Sequence, residues 1–227
     1  MLLTWLGQSG VKILTGKMGN GRLVIYIDPV FPHGTNESAD LLIVTHAHPD
    51  HYNRETIERL RRDDTVVMGT REVVAELHDA QTLVEGTAIT VKGIPLAAVP
   101  AYTTRTPPPH GLKQPGLASV AHPRGDAIGI VLRIENKNIY HCGDTDIVPE
   151  MQDIKTDVLL VPIGAHTTMD AKAAARATEL IKPLIAIPIH YGTNSGTFDD
   201  AELYKELVET TQQTTVLILT EGKEIEL

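Results

Sequence analysis

The chain of 227 residues has one cysteine, Cys142, so it cannot form an intramolecular disulfide. Its first residues lack a basic segment followed by an uninterrupted apolar stretch and a cleavage site. No apolar run approaches the roughly 18 residues that a membrane helix needs. These absences predict a soluble, cytoplasmic protein with no membrane span.

Basic charge is also scarce, because 20 lysines and arginines face 29 acidic residues and give a net charge of −9. This balance argues against a broad surface for nucleic acid or anionic membrane, although a local basic pocket stays open. We therefore expect a small-molecule partner rather than long nucleic acid. A homo-oligomer is compatible with the sequence.

Histidine, in contrast, is concentrated directly after the apolar run 41–44, which suits a buried strand. Three imidazoles and a carboxylate lie within six positions, at His46, His48, Asp50 and His51. In extended backbone, side chains at i and i+2 project to the same side, and Pro49 turns the chain for the last two groups. This spacing predicts two adjacent metal positions with nitrogen and oxygen ligands. The alternative is a set of unconnected, solvated loop residues.

The segment 46–51 matches the HxHxDH signature in full, and here the sequence resembles the metallo-β-lactamase-fold hydrolases. Other segments resemble the family's further motifs and occur in the same order along the chain, at 4–8, 27–29, 141–145 and 187–192. The segments 143–146, 162–164 and 169–170 look most like a compact, largely uncharacterised branch of metal-dependent hydrolases. That branch is related to L-ascorbate-6-phosphate lactonase and N-acylphosphatidylethanolamine phospholipase. The resemblance implies one α/β domain over 1–227, a four-layer αββα sandwich with two mixed sheets flanked by helices.

The pattern of apolar residues predicts the order of secondary structure. Strands are expected at 2–6, 11–14, 23–27, 41–44, 65–68, 88–91, 94–99, 127–134, 137–141, 158–162, 184–188 and 215–219. Helices are expected at 54–62, 71–78, 169–181 and 198–209, with Asp170 as a helix cap. The proline- and glycine-rich segment at about 102–125 predicts an irregular active-site loop, as a lid or a pocket wall.

Two further residues follow predicted strands in the way that the family's remaining ligands do. Asp144 comes after Gly143 and resembles the aspartate that bridges two metals in the family. Taken without the surrounding Gly-Asp-Thr match, Asp144 would be better interpreted as a turn residue that bonds its own backbone. His190 resembles the last histidine ligand.

The chain departs from the family where one more histidine is usual, because Thr103 occupies that place. A neutral hydroxyl is a much weaker zinc ligand than an imidazole. His110 and His122 could each compensate, and we prefer His122 because it lies beside a strand start. The alternative is that His122 is an exposed loop residue, which would leave the first metal position weak or empty.

Other polar residues are expected around the site rather than in it. Asp28 is expected to hold a ligand imidazole by its other ring nitrogen, although it could be a turn aspartate. Gln8 and His166 are expected to line the pocket, or to be satisfied structural groups. His33 and His78 are expected on the surface, and His141 in a strand beside the site. Cys142 is expected to be a packed core side chain.

These residues predict a metal-dependent hydrolase with one or two divalent ions, zinc first and manganese or iron second. The expected substrate is small, with an ester, lactone, amide or phosphodiester bond. Asp50 is the expected catalytic group, because it can bind one ion and accept the proton of the attacking water. Arg105, Lys113 and Arg124 could favour an anionic substrate. The alternatives are an iron-dependent oxidoreductase of the same fold, or a non-catalytic protein that binds metal or a ligand.

Overall fold

The computed structural model describes residues 1–17, 21–30, 37–104, 121–193 and 195–227. Within these ranges the strands form two sheets of seven strands each. The sequence expectations for His33, Arg105, His110 and Lys113 lie outside the described residues, as does most of the 102–125 loop. No helix in the described ranges has the length and apolar character to cross a membrane.

The first sheet contains the strands near the amino terminus and one strand from the carboxyl terminus. Its members are β1 Leu2–Gly7, β2 Gly10–Leu14, β3 Val24–Ile27, β4 Leu41–Val44, β5 Val66–Gly69, β6 Gln81–Thr82 and β14 Glu224–Glu226. The strand order is β14-β1-β2-β3-β4-β5-β6. Pairing is antiparallel from β14 to β3 and parallel from β3 to β6, so the sheet is mixed.

The second sheet contains the strands from the middle of the chain and those that follow. Its members are β7 Ala88–Val91, β8 Ile94–Ala101, β9 Ala127–Ile134, β10 Lys137–His141, β11 Val158–Pro162, β12 Ile185–Ile189 and β13 Thr215–Val216. The strand order is β13-β12-β11-β10-β9-β8-β7. Here β10 to β13 are parallel and β7 to β10 antiparallel.

Alternating residues of the first sheet enter two different cores. Leu41 and Ile43 of β4 lie in the large cluster that the two sheets share. Leu42 and Val44 face the other way and pack with α1 Arg54–Leu60 and α2 Arg71–Glu76. This two-residue period places one face of the sheet inside the sandwich and the other beneath helices.

Two longer helices cover the second sheet. They are α3 Ala171–Ile181 and α4 Phe198–Thr211, and the Thr178 hydroxyl lies 2.7 Å from that of Tyr204 between them. Both helices contribute buried residues to the large core cluster. The order of layers is therefore helices, sheet, sheet, helices, as expected from the sequence.

Most expected elements agree with the structure to within two residues at each end, and Asp170 caps α3 by accepting from the Ala173 N–H. The strand expected at 215–219 is shorter, because its ladder with β12 covers only Thr215 and Val216. The apolar pattern of the sequence does not predict β6, β14 or a 3₁₀ helix at Pro149–Asp153. These are short, and β6 and β14 are polar edge strands, so they lack an apolar period long enough to detect.

Candidate metal centre

The residues predicted as ligands converge at one edge of the sandwich. The 46–51 segment follows β4 of the first sheet, whereas Asp144 and His190 follow β10 and β12 of the second. His122 precedes β9, on the return from the 102–125 loop. Segments far apart in sequence thus meet because strands of both sheets end at this edge.

Asp28 organises the first of these segments. It follows β3, is fully buried and accepts three hydrogen bonds of 2.7 Å, from the Thr45 N–H, the Thr45 hydroxyl and Nδ1 of His51. Because a carboxylate only accepts, the proton of His51 must sit on Nδ1. In the neutral form of the ring, which is the form that binds metal, the Nε2 lone pair of His51 then faces into the site, as expected of an imidazole oriented by a carboxylate.

Three imidazoles bring their ring nitrogens together in one group. Nε2 of His46 and Nε2 of His122 each lie 3.1 Å from Nδ1 of His48. Nδ1 of His122 lies 3.2 Å from the Thr167 carbonyl, which can only accept, so Nε2 of His122 carries the lone pair. This geometry brings His122, and not Thr103, into the histidine cluster.

Asp144 lies at the centre of the cluster. Its Oδ1 is 3.1 Å from Nε2 of His51, and its Oδ2 is 3.3 Å from Nε2 of His122 and 3.1 Å from Nε2 of His190. Gly143 allows this approach, because its φ is +63° and a Cβ there would lie 2.5 Å from the Ile128 carbonyl oxygen.

His190 and Asp50 complete the other side. Nε2 of His190 lies 3.4 Å from the Asp50 carboxylate, and its Nδ1 lies 2.9 Å from the Ser195 hydroxyl. The backbone N–H of His190 donates to the Gln8 carbonyl at 2.8 Å. A Cβ on Gly164 would clash with the His190 ring, so this glycine makes room for the imidazole.

Several polar atoms at the centre are buried without a hydrogen bond among the described residues. They are Nε2 of His51, Nε2 of His190 and Oδ1 of Asp144. Nε2 of His51 and Oδ1 of Asp144 are only 3.1 Å apart, yet their orientation does not give a hydrogen bond. Buried polar atoms without partners are costly, whereas a cation between them would satisfy all three. The donor set therefore fits a metal.

The charges of the cluster are strongly coupled. Burial alone raises the pKa of Asp144, but the imidazoles of His190 and His51 outweigh it and hold this pKa well below its usual range. Burial lowers the pKa of the two imidazoles, but Asp144 outweighs it, raising that of His190 to about 9 and that of His51 well above its usual value. The cavity around Asp144 thus favours positive charge.

The imidazoles away from this carboxylate behave differently. Burial lowers the pKa of His46 well below its usual value and that of His122 below it as well. Both rings are therefore neutral at pH 7, which is the form that binds metal. Burial raises the pKa of Asp50, but His190 and His51 outweigh it and lower this pKa, so Asp50 is an anion.

The other residues singled out in the sequence lie around the cluster. Gln8 is fully buried, and its side-chain amide has no hydrogen-bond partner among the described residues. His166 is exposed on the turn beside Thr167. His141 connects the two sheets, since its Nε2 lies 2.8 Å from the Ser9 carbonyl and its Nδ1 accepts from the Gly143 N–H.

Arg124, considered from the sequence as a contact for an anionic substrate, is paired with acidic side chains. Its guanidinium pairs with Glu150 at 2.8 Å and with Glu85 at 2.9 Å, and it lies 5.2 Å from the centre of the Tyr102 ring. Two carboxylates therefore already neutralise this charge.

Three groups that support the cluster were not predicted from the sequence: the Thr45 hydroxyl, the Thr167 carbonyl and the Ser195 hydroxyl. Thr45 could have been suspected because it directly precedes the histidine segment. A backbone carbonyl and a loop serine carry no sequence signal of this kind.

Comparison with known proteins gives consistent matches. Residues 2–190 match the family model described as the beta-lactamase superfamily domain. A UPF0173 metal-dependent hydrolase of Methanosphaerula palustris is 33% identical over 233 residues, covering 100% of both chains. Another from Thermofilum pendens is 32% identical over 237 residues, covering 99% of this chain and 98% of the relative.

Solved structures agree with these matches. A metallo hydrolase from Ignicoccus hospitalis superposes with a TM-score of 0.74 at 25% identity, covering 99% of this chain and 97% of that one. A protein from Parabacteroides distasonis gives a TM-score of 0.78 at 27% identity, covering 95% of this chain and 91% of that one.

Proposed function

Since the chain belongs to the beta-lactamase superfamily and is a metal-dependent hydrolase, we propose that it holds two divalent ions and cleaves a small substrate. Zinc is the first candidate, because borderline cations accept imidazole and carboxylate ligands together. The bond cleaved is an ester, lactone, amide or phosphodiester.

The geometry supports two positions that share Asp144. Convergent ligand atoms form three overlapping groups: His46, His48 and His122 at one side, Asp50, His51 and His190 at the other, and His46, His51 and Asp144 in the middle. Asp144 lies between them, because its oxygens approach His51, His122 and His190. We assign Asp144 as the carboxylate that would help to hold both ions and Asp28 as the residue that orients His51.

When bound, divalent ions lower the pKa of water towards neutrality and polarise the oxygen of the scissile bond. The residues of the chain determine where that chemistry occurs. Asp50 has a side chain that is 25% exposed, whereas Asp144 is only 2% exposed. As a partly exposed anion, Asp50 is the carboxylate placed to accept a proton from attacking water, while buried Asp144 holds charge in place.

The observation that carries the proposal is the set of buried ligand atoms without partners, Nε2 of His51, Nε2 of His190 and Oδ1 of Asp144. The test is metal analysis of protein purified without added metal, for the parent and the His190→Ala and His122→Ala variants. We expect two ions per parent chain, and reduced content in both variants. His78→Ala is the control, because His78 is exposed on the surface away from the cluster.

Activity is then measured on a panel of esters, lactones, amides and phosphodiesters. Chelation should abolish turnover, and zinc or manganese should restore it. Iron with oxygen consumption would indicate the oxidoreductase alternative instead. Bound metal without turnover on any of the four bond types would indicate a binding protein.

A further inference from the structure

Thr103 and His122 are joined by hydrogen bonds that involve the main chain of both residues and the Thr103 hydroxyl. The Thr103 N–H donates to the His122 carbonyl at 2.9 Å, and the His122 N–H donates to the Thr103 hydroxyl oxygen at 2.9 Å. The same hydroxyl also lies 3.5 Å from the His122 carbonyl. Both residues are buried, with exposures of 5% and 2%. The hydroxyl therefore interacts with the backbone of His122.

The segment 102–104, which contains Thr103, is hydrogen-bonded to the segment that follows Asp144. The Thr104 N–H donates to the Asp146 carboxylate at 2.8 Å, and the Asp146 N–H donates to the Tyr102 carbonyl at 2.9 Å. These hydrogen bonds form a continuous connection from Asp144, through residues 145–146 and 102–104, to His122. They therefore fix the positions of Asp144 and His122 relative to each other.

His122 needs such an anchor because of where it lies. It precedes β9 by several residues, so no sheet ladder fixes its backbone. Its ring is held at Nδ1 by the Thr167 carbonyl, but a ring contact alone leaves the backbone free to shift. A metal ligand that is about 1 Å out of place binds poorly, so its support determines affinity.

We propose that Thr103 is a positioning residue that holds His122 in the cluster and thereby sets metal affinity at the position formed by His46, His48 and His122. The inference rests on the proposed function, since it requires that metal binds there. It assigns to Thr103, at the place where the family's pattern has a ligand, a role that acts only through the backbone of His122.

The test compares Thr103→Val with Thr103→Ser by competition for zinc against a chromophoric chelator. Valine keeps the shape and removes the hydroxyl, so we expect one of the two ions to bind about 10-fold more weakly, as typical when a ligand loses its support. Serine keeps the acceptor and should restore affinity close to that of the parent. Thr103→Ala removes the same hydroxyl and serves as a second variant should valine prevent folding.

Thr214→Val is the matched control. Thr214 is also 5% exposed and its hydroxyl bonds a backbone carbonyl, that of Pro183, but this threonine lies at the other end of β12. It should lose thermal stability without a change in zinc affinity. If Thr103→Val and Thr103→Ala both bind the two ions as tightly as the parent does, this inference is overturned but the proposed function is not. A parent that binds no metal would overturn the proposed function, and this inference with it.

Discussion

Nδ1 of His51 lies 2.7 Å from the Asp28 carboxylate, and both side chains are fully buried. This pair fixes the tautomer of an imidazole at the centre of the cluster. Asp28 also accepts from the backbone and hydroxyl of Thr45, directly before the histidine segment. One carboxylate therefore orients the start of the segment and one of its rings.

Asp28→Asn tests this arrangement. The amide has nearly the same shape but no charge, so it no longer stabilises the orientation and basicity of His51. We expect zinc affinity to fall by about 10- to 100-fold, with turnover falling in parallel at limiting metal. Equilibrium dialysis measures the affinity. Asp63→Asn, on the exposed surface, should leave it unchanged; parent affinity in Asp28→Asn would refute the orienting role.

Gly164→Ala tests how closely His190 is packed. The added Cβ would clash with the His190 ring and approach the Ser195 hydroxyl within 2.7 Å, so the ring must shift. Misplacement of about 1 Å can cost about 100-fold in rate, and overpacking typically costs about 1–3 kcal/mol of stability. Steady-state kinetics and thermal unfolding measure the two effects.

The control for Gly164→Ala is Gly21→Ala. Among the described residues, no atom lies within 4 Å of a Cβ built on Gly21. This variant should retain parent kinetics. Unchanged rates in Gly164→Ala would show that His190 has more freedom than its surroundings indicate.

The sequence predicted the convergence of the cluster best where a polar residue directly follows a buried strand. The 46–51 segment, Asp144 and His190 all do so, and an apolar strand with a polar residue at its end is visible in sequence. His122 was harder to choose, because its loop has no period and its ring is held by a main-chain atom, the carbonyl of Thr167. Main-chain contacts depend on tertiary structure and not on residue type.

Cys142 should be unreactive in the folded protein. It is fully buried, and burial raises the pKa of its thiol far above the usual value, so almost no thiolate forms at pH 8. We expect a disulfide reagent to label it only as denaturant unfolds the chain, with labelling and loss of circular dichroism coinciding. Rapid stoichiometric labelling of the native protein would contradict this placement.

Metal binding should release protons at neutral pH. Asp144 raises the pKa of His190 to about 9 and holds that of His51 well above its usual value, so both rings are positively charged at pH 7 without metal. A cation must displace a proton from each ring, so zinc affinity should increase as pH rises from 7 towards 9, and proton release should decline above pH 9. Calorimetry in buffers of different ionisation enthalpy measures this; identical heats in all buffers would argue against it.

Anomalous diffraction from crystals grown with zinc tests most directly whether distant segments converge on shared cations. Two peaks are predicted, one next to His46, His48 and His122 and the other next to Asp50, His51 and His190, with Asp144 between them and ligand distances of about 2.0–2.3 Å. Peaks confined to the outer surface, or a cluster with no anomalous signal, would contradict the account.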